Sequence, residues 1–140
     1  MDKDSLFWRL ISGELPTPPC AETLGGEFKH IDSENGTVET EFQGRPQFAN
    51  PVGHIQGGFL AAMLDDTLGP ALLATLPKGQ FAPTVNLNVS FHRPAKIGTI
   101  TGKGRVLKRG KELCAMTGEL YQEGQLIASA TATAIIRTIP

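Results

Sequence analysis

Cysteine is scarce: Cys20 and Cys114 stand far apart, with no CxxC pair and no histidine spacing beside them. Neither a zinc site nor a disulfide scaffold is signalled, and two reduced thiols, buried or half-buried, are expected. Neither sign of charge is in excess; the formal net charge is -1, so no basic surface is available to attract nucleic acid or an anionic membrane. The start does not read as a secretory leader. Residues 1–15 read MDKDSLFWRLISGEL, acidic where a leader is basic, with no long apolar stretch behind, and a cytoplasmic protein is expected. The longest apolar-rich run, Gly57 to Leu76, carries Asp65, Asp66 and a Gly69-Pro70 break, which a membrane-spanning helix tolerates poorly. No metal or cofactor is called for.

What is present is the composition of an ordinary globular protein: 140 residues, 40% hydrophobic and 19% charged. That length suits one domain over residues 1–140, with residues 1–20 as an N-terminal helix and Pro-rich lead-in. Ser5 can cap a short helix whose apolar residues Leu6, Phe7, Leu10 and Ile11 recur at helical spacing; Gly13 stops it and Pro16, Pro18 and Pro19 end it. Two strand-like stretches between Glu27 and Phe42 flank Asn35-Gly36, a dipeptide suited to a tight hairpin turn. Residues 43–56, rich in Pro, Gly and Asn, form a connecting loop.

From Gly57 to Leu76 nearly every side chain is apolar or small, all round the helix, and such a helix must be buried on most sides. Four strands follow. The first alternates Val85, Leu87, Val89 and Phe91 with Asn86, Asn88, Ser90 and His92, giving it one wet face. The others span about Thr99 to Leu107, Leu113 to Tyr121 and Leu126 to Arg137, joined by short turns that favour an antiparallel meander. The architecture expected is α+β: an antiparallel sheet wrapped around one long central helix. Such a unit leaves open sheet edges and half-covers its helix, so an obligate homodimer is expected, with a dimer of dimers as a further step.

Two features carry chemistry. Asp65 and Asp66 lie in mid-helix, and buried carboxylates need a partner or a raised pKa. Gln56-Gly57-Gly58 opens the same helix, where backbone amides lack intrahelical acceptors and point outward with the positive end of the helix dipole; glycines there let a substrate carbonyl approach. Gly57 and Asp65 stand roughly 12 Å apart along the helix at 1.5 Å per residue. A single chain cannot focus both on one carbonyl, but two antiparallel helices of a symmetric dimer can, with two composite sites per dimer.

Asn50, Gly53, Gln56-Gly57-Gly58 and the run to Asp65, with Val85 to Lys96 behind, resemble the PaaI-like hotdog-fold thioesterases, over residues 28 to 137. The resemblance implies hydrolysis of an acyl-CoA thioester to free acid and Coenzyme A. It implies Asp65 as nucleophile or general base, the Gly57 amide as carbonyl-polarising donor, Asn50 orienting water or substrate, and Thr84 as an assisting hydroxyl. Many relatives have His where this chain has Gln56, which can hydrogen-bond but not transfer a proton near neutral pH; His54 is a substitute by position. Gly58 and His54 are expected at the substrate, and Arg93, Lys96 and Arg109, with Lys108 and Lys111 nearby, at the Coenzyme A phosphates. Two other readings stand beside this one: an acyl-CoA binding or sensing protein without turnover, and an enoyl-CoA hydratase or dehydratase on the same fold. The missing His at Gln56 counts against the second.

Overall fold

The computed structural model describes residues 1–140. Its centre is a 17-residue helix, α3 (Gly57–Leu73), laid across a six-stranded antiparallel sheet. The sheet contains β1 (Glu27–Asp32), β2 (Thr37–Gly44), β4 (Thr84–Phe91), β5 (Gly98–Arg109), β6 (Leu113–Gln122) and β7 (Gln125–Ile135). Their order is β1-β2-β5-β6-β7-β4, so β1 and β4 are the two edges. A two-residue pair, β3 (Gln80–Phe81) with β8 (Arg137–Thr138), stands apart. This is the antiparallel sheet around one central helix that the residue pattern led us to expect, and the hotdog arrangement that the resemblance implied.

Helix and sheet meet through alternation. Along β7, Ala128, Ala130, Ala132 and Ala134 are all buried, as are Cys114, Met116 and Leu120 on β6. On α3, Leu60, Met63, Leu64, Leu68 and Leu72 fill the same core. Leu64 and Leu68 are wholly enclosed, so truncating either to Ala should cost about 2 to 5 kcal/mol. Close approach is possible because β5 and β6 present glycines to the helix. A Cβ at Gly104 would lie 2.9 Å from the Thr67 carbonyl oxygen, and one at Gly118 would lie 2.6 Å from Leu68. The one buried polar pair is self-satisfied: Thr67 Oγ1 donates to the Met63 carbonyl at 2.8 Å, and Thr40 Oγ1 shares a 2.9 Å bond with it.

The N-terminal segment locks the far end of α3. Helix α1 (Leu6–Ile11) begins at Ser5, whose hydroxyl accepts from the Trp8 amide. Trp8 Nε1 then donates to the Ala74 carbonyl at the C-terminus of α3, at 3.1 Å. That bond satisfies one of the carbonyls a helix end leaves open.

Several expectations need correction. A second helix, α2 (Pro19–Leu24), was not expected; it starts with Pro19 in the first turn where no amide is needed, and left-handed Gly25 ends it. The β1–β2 turn is longer than a two-residue hairpin at Asn35-Gly36, because Asp32 Oδ1 accepts the amides of Glu34 and Asn35 and draws four residues into the turn. Helix α3 ends at Leu73, not Leu76, and keeps Pro70 inside it. Buried on its other sides, it leaves one strip open, where Gly58 and Asp65 are exposed and Ala62, Asp66 and Gly69 half-buried. Strand β7 stops at Ile135, short of Arg137, which opens the separate β8. Of the cysteines, Cys114 is buried but Cys20 is exposed.

Candidate active site

Asp65 projects from the uncovered face of α3, toward edge strand β4, and its Oδ1 accepts a 2.8 Å hydrogen bond from Thr84 Oγ1. That contact depends on a break in the strand. Thr84 lies opposite Ala134, and Asn86 lies opposite Thr133, so two residues of β4 advance while β7 advances one. Val85 is the extra residue, a β-bulge. Side chains alternate across a strand. Without the bulge, Thr84 would share the outer face with Asn86, Asn88 and Ser90; with it, Thr84 joins Leu87, Val89 and Phe91 on the helix side. The alternation had placed Val85 on that side, but it is the bulged residue and 53% exposed.

The two aspartates differ. Asp65 is exposed and Asp66 half-buried, so the acid short of water is not the one the sequence pattern singled out. Burial pushes the Asp66 carboxyl up to about 6, with the neighbouring Asp65 charge adding to the effect.

At the helix start, Gln56 occupies the cap position without a capping side-chain bond. Phe59 and Leu60 amides both donate to the Gln56 carbonyl, while the Gly57 and Gly58 amides have no acceptor in the chain. Both are therefore free for a ligand, at the positive end of the helix. Phe91, the last residue of β4, reaches over Gly57: a Cβ there would stand 3.0 Å from the ring tip. The Gln56 side chain folds back along Gly58, with Oε1 2.7 Å from where a Cβ would be.

An open cleft of about 420 Å³ adjoins this point, lined by Asn50, His54, Gly57, Phe91 and Arg93, with Leu60 among its floor residues. Asn50 Oδ1 accepts the amides of Val52 and His54, at 3.1 and 3.0 Å, and ties the loop before the helix into shape. Its side-chain Nδ2 makes no bond within the chain and remains for a ligand. His92 lies just past β4 and pairs with Ser129 Oγ at 2.8 Å.

Two groups of expected site residues thus form separately within one chain. Asn50, His54, Gly57 and Arg93 share the cleft, Gln56 and Gly58 border it, and Thr84 joins Asp65 further along α3. Lys96 is exposed, its amide bonded to Gln122 Oε1 at 2.8 Å. Arg109 lies beside Ala74 and Thr75, at the opposite end of α3 from Gly57. Sequence reasoning missed Phe91 over Gly57 and the bulge at Val85; an aromatic at the end of the alternating strand was the only trace of the first.

The thioesterase superfamily model matches residues 52–129, from the loop before α3 into β7. The chain belongs to the thioesterase superfamily. This thioesterase is 30% identical over 115 residues to human acyl-coenzyme A thioesterase 13, covering 80% of this chain and 81% of that protein. A phenylacetic acid degradation-related protein from Ralstonia eutropha JMP134 superposes with a TM-score of 0.90 at 46% identity, over 92% of this chain and 98% of that one. The Escherichia coli PaaI protein shares the fold, with a TM-score of 0.83 at 22% identity over 96% of both chains. With its family and relatives, the chain is a thioester hydrolase. No helix is long and apolar enough to cross a membrane.

Proposed function

We propose that this thioesterase hydrolyses acyl-CoA thioesters at a site shared by two copies of the chain. The carrying observation is that β4 is a free edge with the two halves of the chemistry at its two ends: Thr84 with Asp65 at the start, Phe91 with Gly57 at the finish. Pairing β4 with its own copy, antiparallel, sets the start of one strand beside the finish of the other. Opposed residues of an antiparallel pair lie on the same face, and Leu87, Val89 and Phe91 share the helix face. A twofold at Asn88 meets that condition: Leu87 faces the partner's Val89, and Phe91 faces the partner's Thr84-Val85 bulge. Gly57 of one chain then confronts Asp65 of the other.

In this arrangement the Gly57 amide donates to the thioester oxygen as negative charge grows on it. The Asp65 carboxylate either takes a proton from water as that water attacks the carbonyl carbon, or attacks the carbon itself to form a mixed anhydride that water then opens. Both routes break the carbon–sulfur bond and release Coenzyme A and the free acid. Thr84 holds one carboxylate oxygen and so sets the direction of the other. Arg93, on the cleft, is positioned for a Coenzyme A phosphate. The name of the human relative supports acyl-CoA as the substrate, as does a Streptococcus pneumoniae structure with Coenzyme A that has this fold.

The test is a panel of acyl-CoA esters with a thiol reagent reporting Coenzyme A release. Turnover supports the reading; binding of the same esters without thiol release would make the chain a sensor instead.

A further inference from the structure

We infer that Phe91 is the specificity wall of the site, limiting the bulk an acyl group can carry on the carbon next to the thioester carbonyl. This rests on the reading of Gly57 as the amide that polarises that carbonyl. Phe91 pairs with Ala128, in the row of Ala130, Ala132 and Ala134 that faces the helix, and all four alanines are buried. The ring belongs to the core side of the sheet and is nevertheless 55% exposed. Phe91 ends the free edge strand β4, and its ring tip meets Gly57. In the edge-paired arrangement the ring stands between the partner's Thr84-Val85 bulge and the free Gly57 amide, so a ligand held by that amide packs against it.

The position of the ring fixes which part of a ligand it touches. A carbonyl oxygen accepting from the Gly57 amide sits about 2.9 Å from that nitrogen, beside the ring, and one substituent of the carbonyl carbon packs against Phe91. The cleft floor there is apolar, built from Ile55, Leu60 and Ala95, all buried. Arg93, the next charged residue, stands at the rim and exposed. The apolar acyl group fits the floor and the anionic Coenzyme A arm fits the rim, so the substituent against Phe91 is the acyl carbon.

Propanoyl-CoA and 2-methylpropanoyl-CoA differ by one methyl at that carbon, and the ratio of their kcat/KM values reads the wall. In Phe91→Ala the ratio of branched to straight substrate should rise on the order of tenfold, since a methyl in a confined apolar site is worth that much or more. Phe91→Leu should fall between. A ratio unchanged in both variants, or equal loss on both substrates, overturns the inference and places the ring against the sulfur arm or outside the site. Absence of turnover by the unaltered chain on every ester would overturn the hydrolysis reading itself, and this inference with it; turnover with an unmoved ratio overturns this inference alone.

Discussion

Thr84 Oγ1 donates a 2.8 Å hydrogen bond to Asp65 Oδ1, joining the edge strand to the middle of the central helix. The bulge at Val85 makes that bond possible by turning Thr84 from the outer face to the helix face. A carboxylate so held has one oxygen engaged and one free, and its orientation no longer depends on side-chain rotation.

Removal of the acid is the direct test of its role. Asp65→Asn should lower kcat by about 10²-fold or more, the usual effect of losing a positioned base or nucleophile. Asp66→Asn should do far less, because its side chain bonds to nothing at the site. Equal losses in steady-state assays of the two variants would mean that the acid has been misassigned.

Removal of the hydroxyl alone separates orientation from chemistry. Thr84→Val keeps the shape but has no donor, and kcat should fall by roughly tenfold while the far-ultraviolet circular dichroism spectrum stays as it was. Thr84→Ser should recover most of the loss. A valine variant as active as the parent would show that the bond plays no part in turnover.

The edge-pairing arrangement predicts a charge-sensitive twofold. Asn88→Lys would bring two ammonium groups face to face on the axis, and like charges directly opposed across strands destabilise the pair. Sedimentation should report monomers, and thioester hydrolysis should disappear with the dimer even though Asn88 touches neither Asp65 nor Gly57. A dimeric, fully active variant would rule out β4 as the joining edge.

Asp66 makes stability depend on pH with a defined sign. Its folded pKa, about 6, lies above the ordinary value near 3.9, so between those two values the folded state binds more protons than the unfolded one. The group therefore favours folding increasingly as pH falls from about 6 toward 4, and disfavours it above 6, where burial of the charge is not relieved. Asp66→Asn should raise Tm at pH 7 and flatten its change across that window. Calorimetry showing the same pH slope in both proteins would contradict the assignment.

Much of this molecule can be read from residue order alone, because its signals are local. The alternation of Leu87, Val89 and Phe91 with polar partners demands a strand whatever lies beside it. The greasy run from Gly57 demands a covered helix, and the glycine pair at its start demands free amides. The spacing of Gly57 and Asp65 along one helix even requires a second chain if both serve one carbonyl, since helical rise is fixed.

Only the folded structure decided which residues of those elements meet. Whether Thr84 or Val85 faces the helix depends on pairing with Thr133 and Ala134, some fifty residues away, and a one-residue slip reverses every side chain beyond it. The burial of Asp66 over Asp65 depends on how α3 is turned against glycine-lined strands, and helical periodicity with apolar residues on all sides carries no information on that turn. Phe91 stands over Gly57 because two elements end at one place in space. Local chemistry thus dictated the elements and their reactive groups, whereas register and helix rotation, set by contacts distant in the chain, dictated which groups touch.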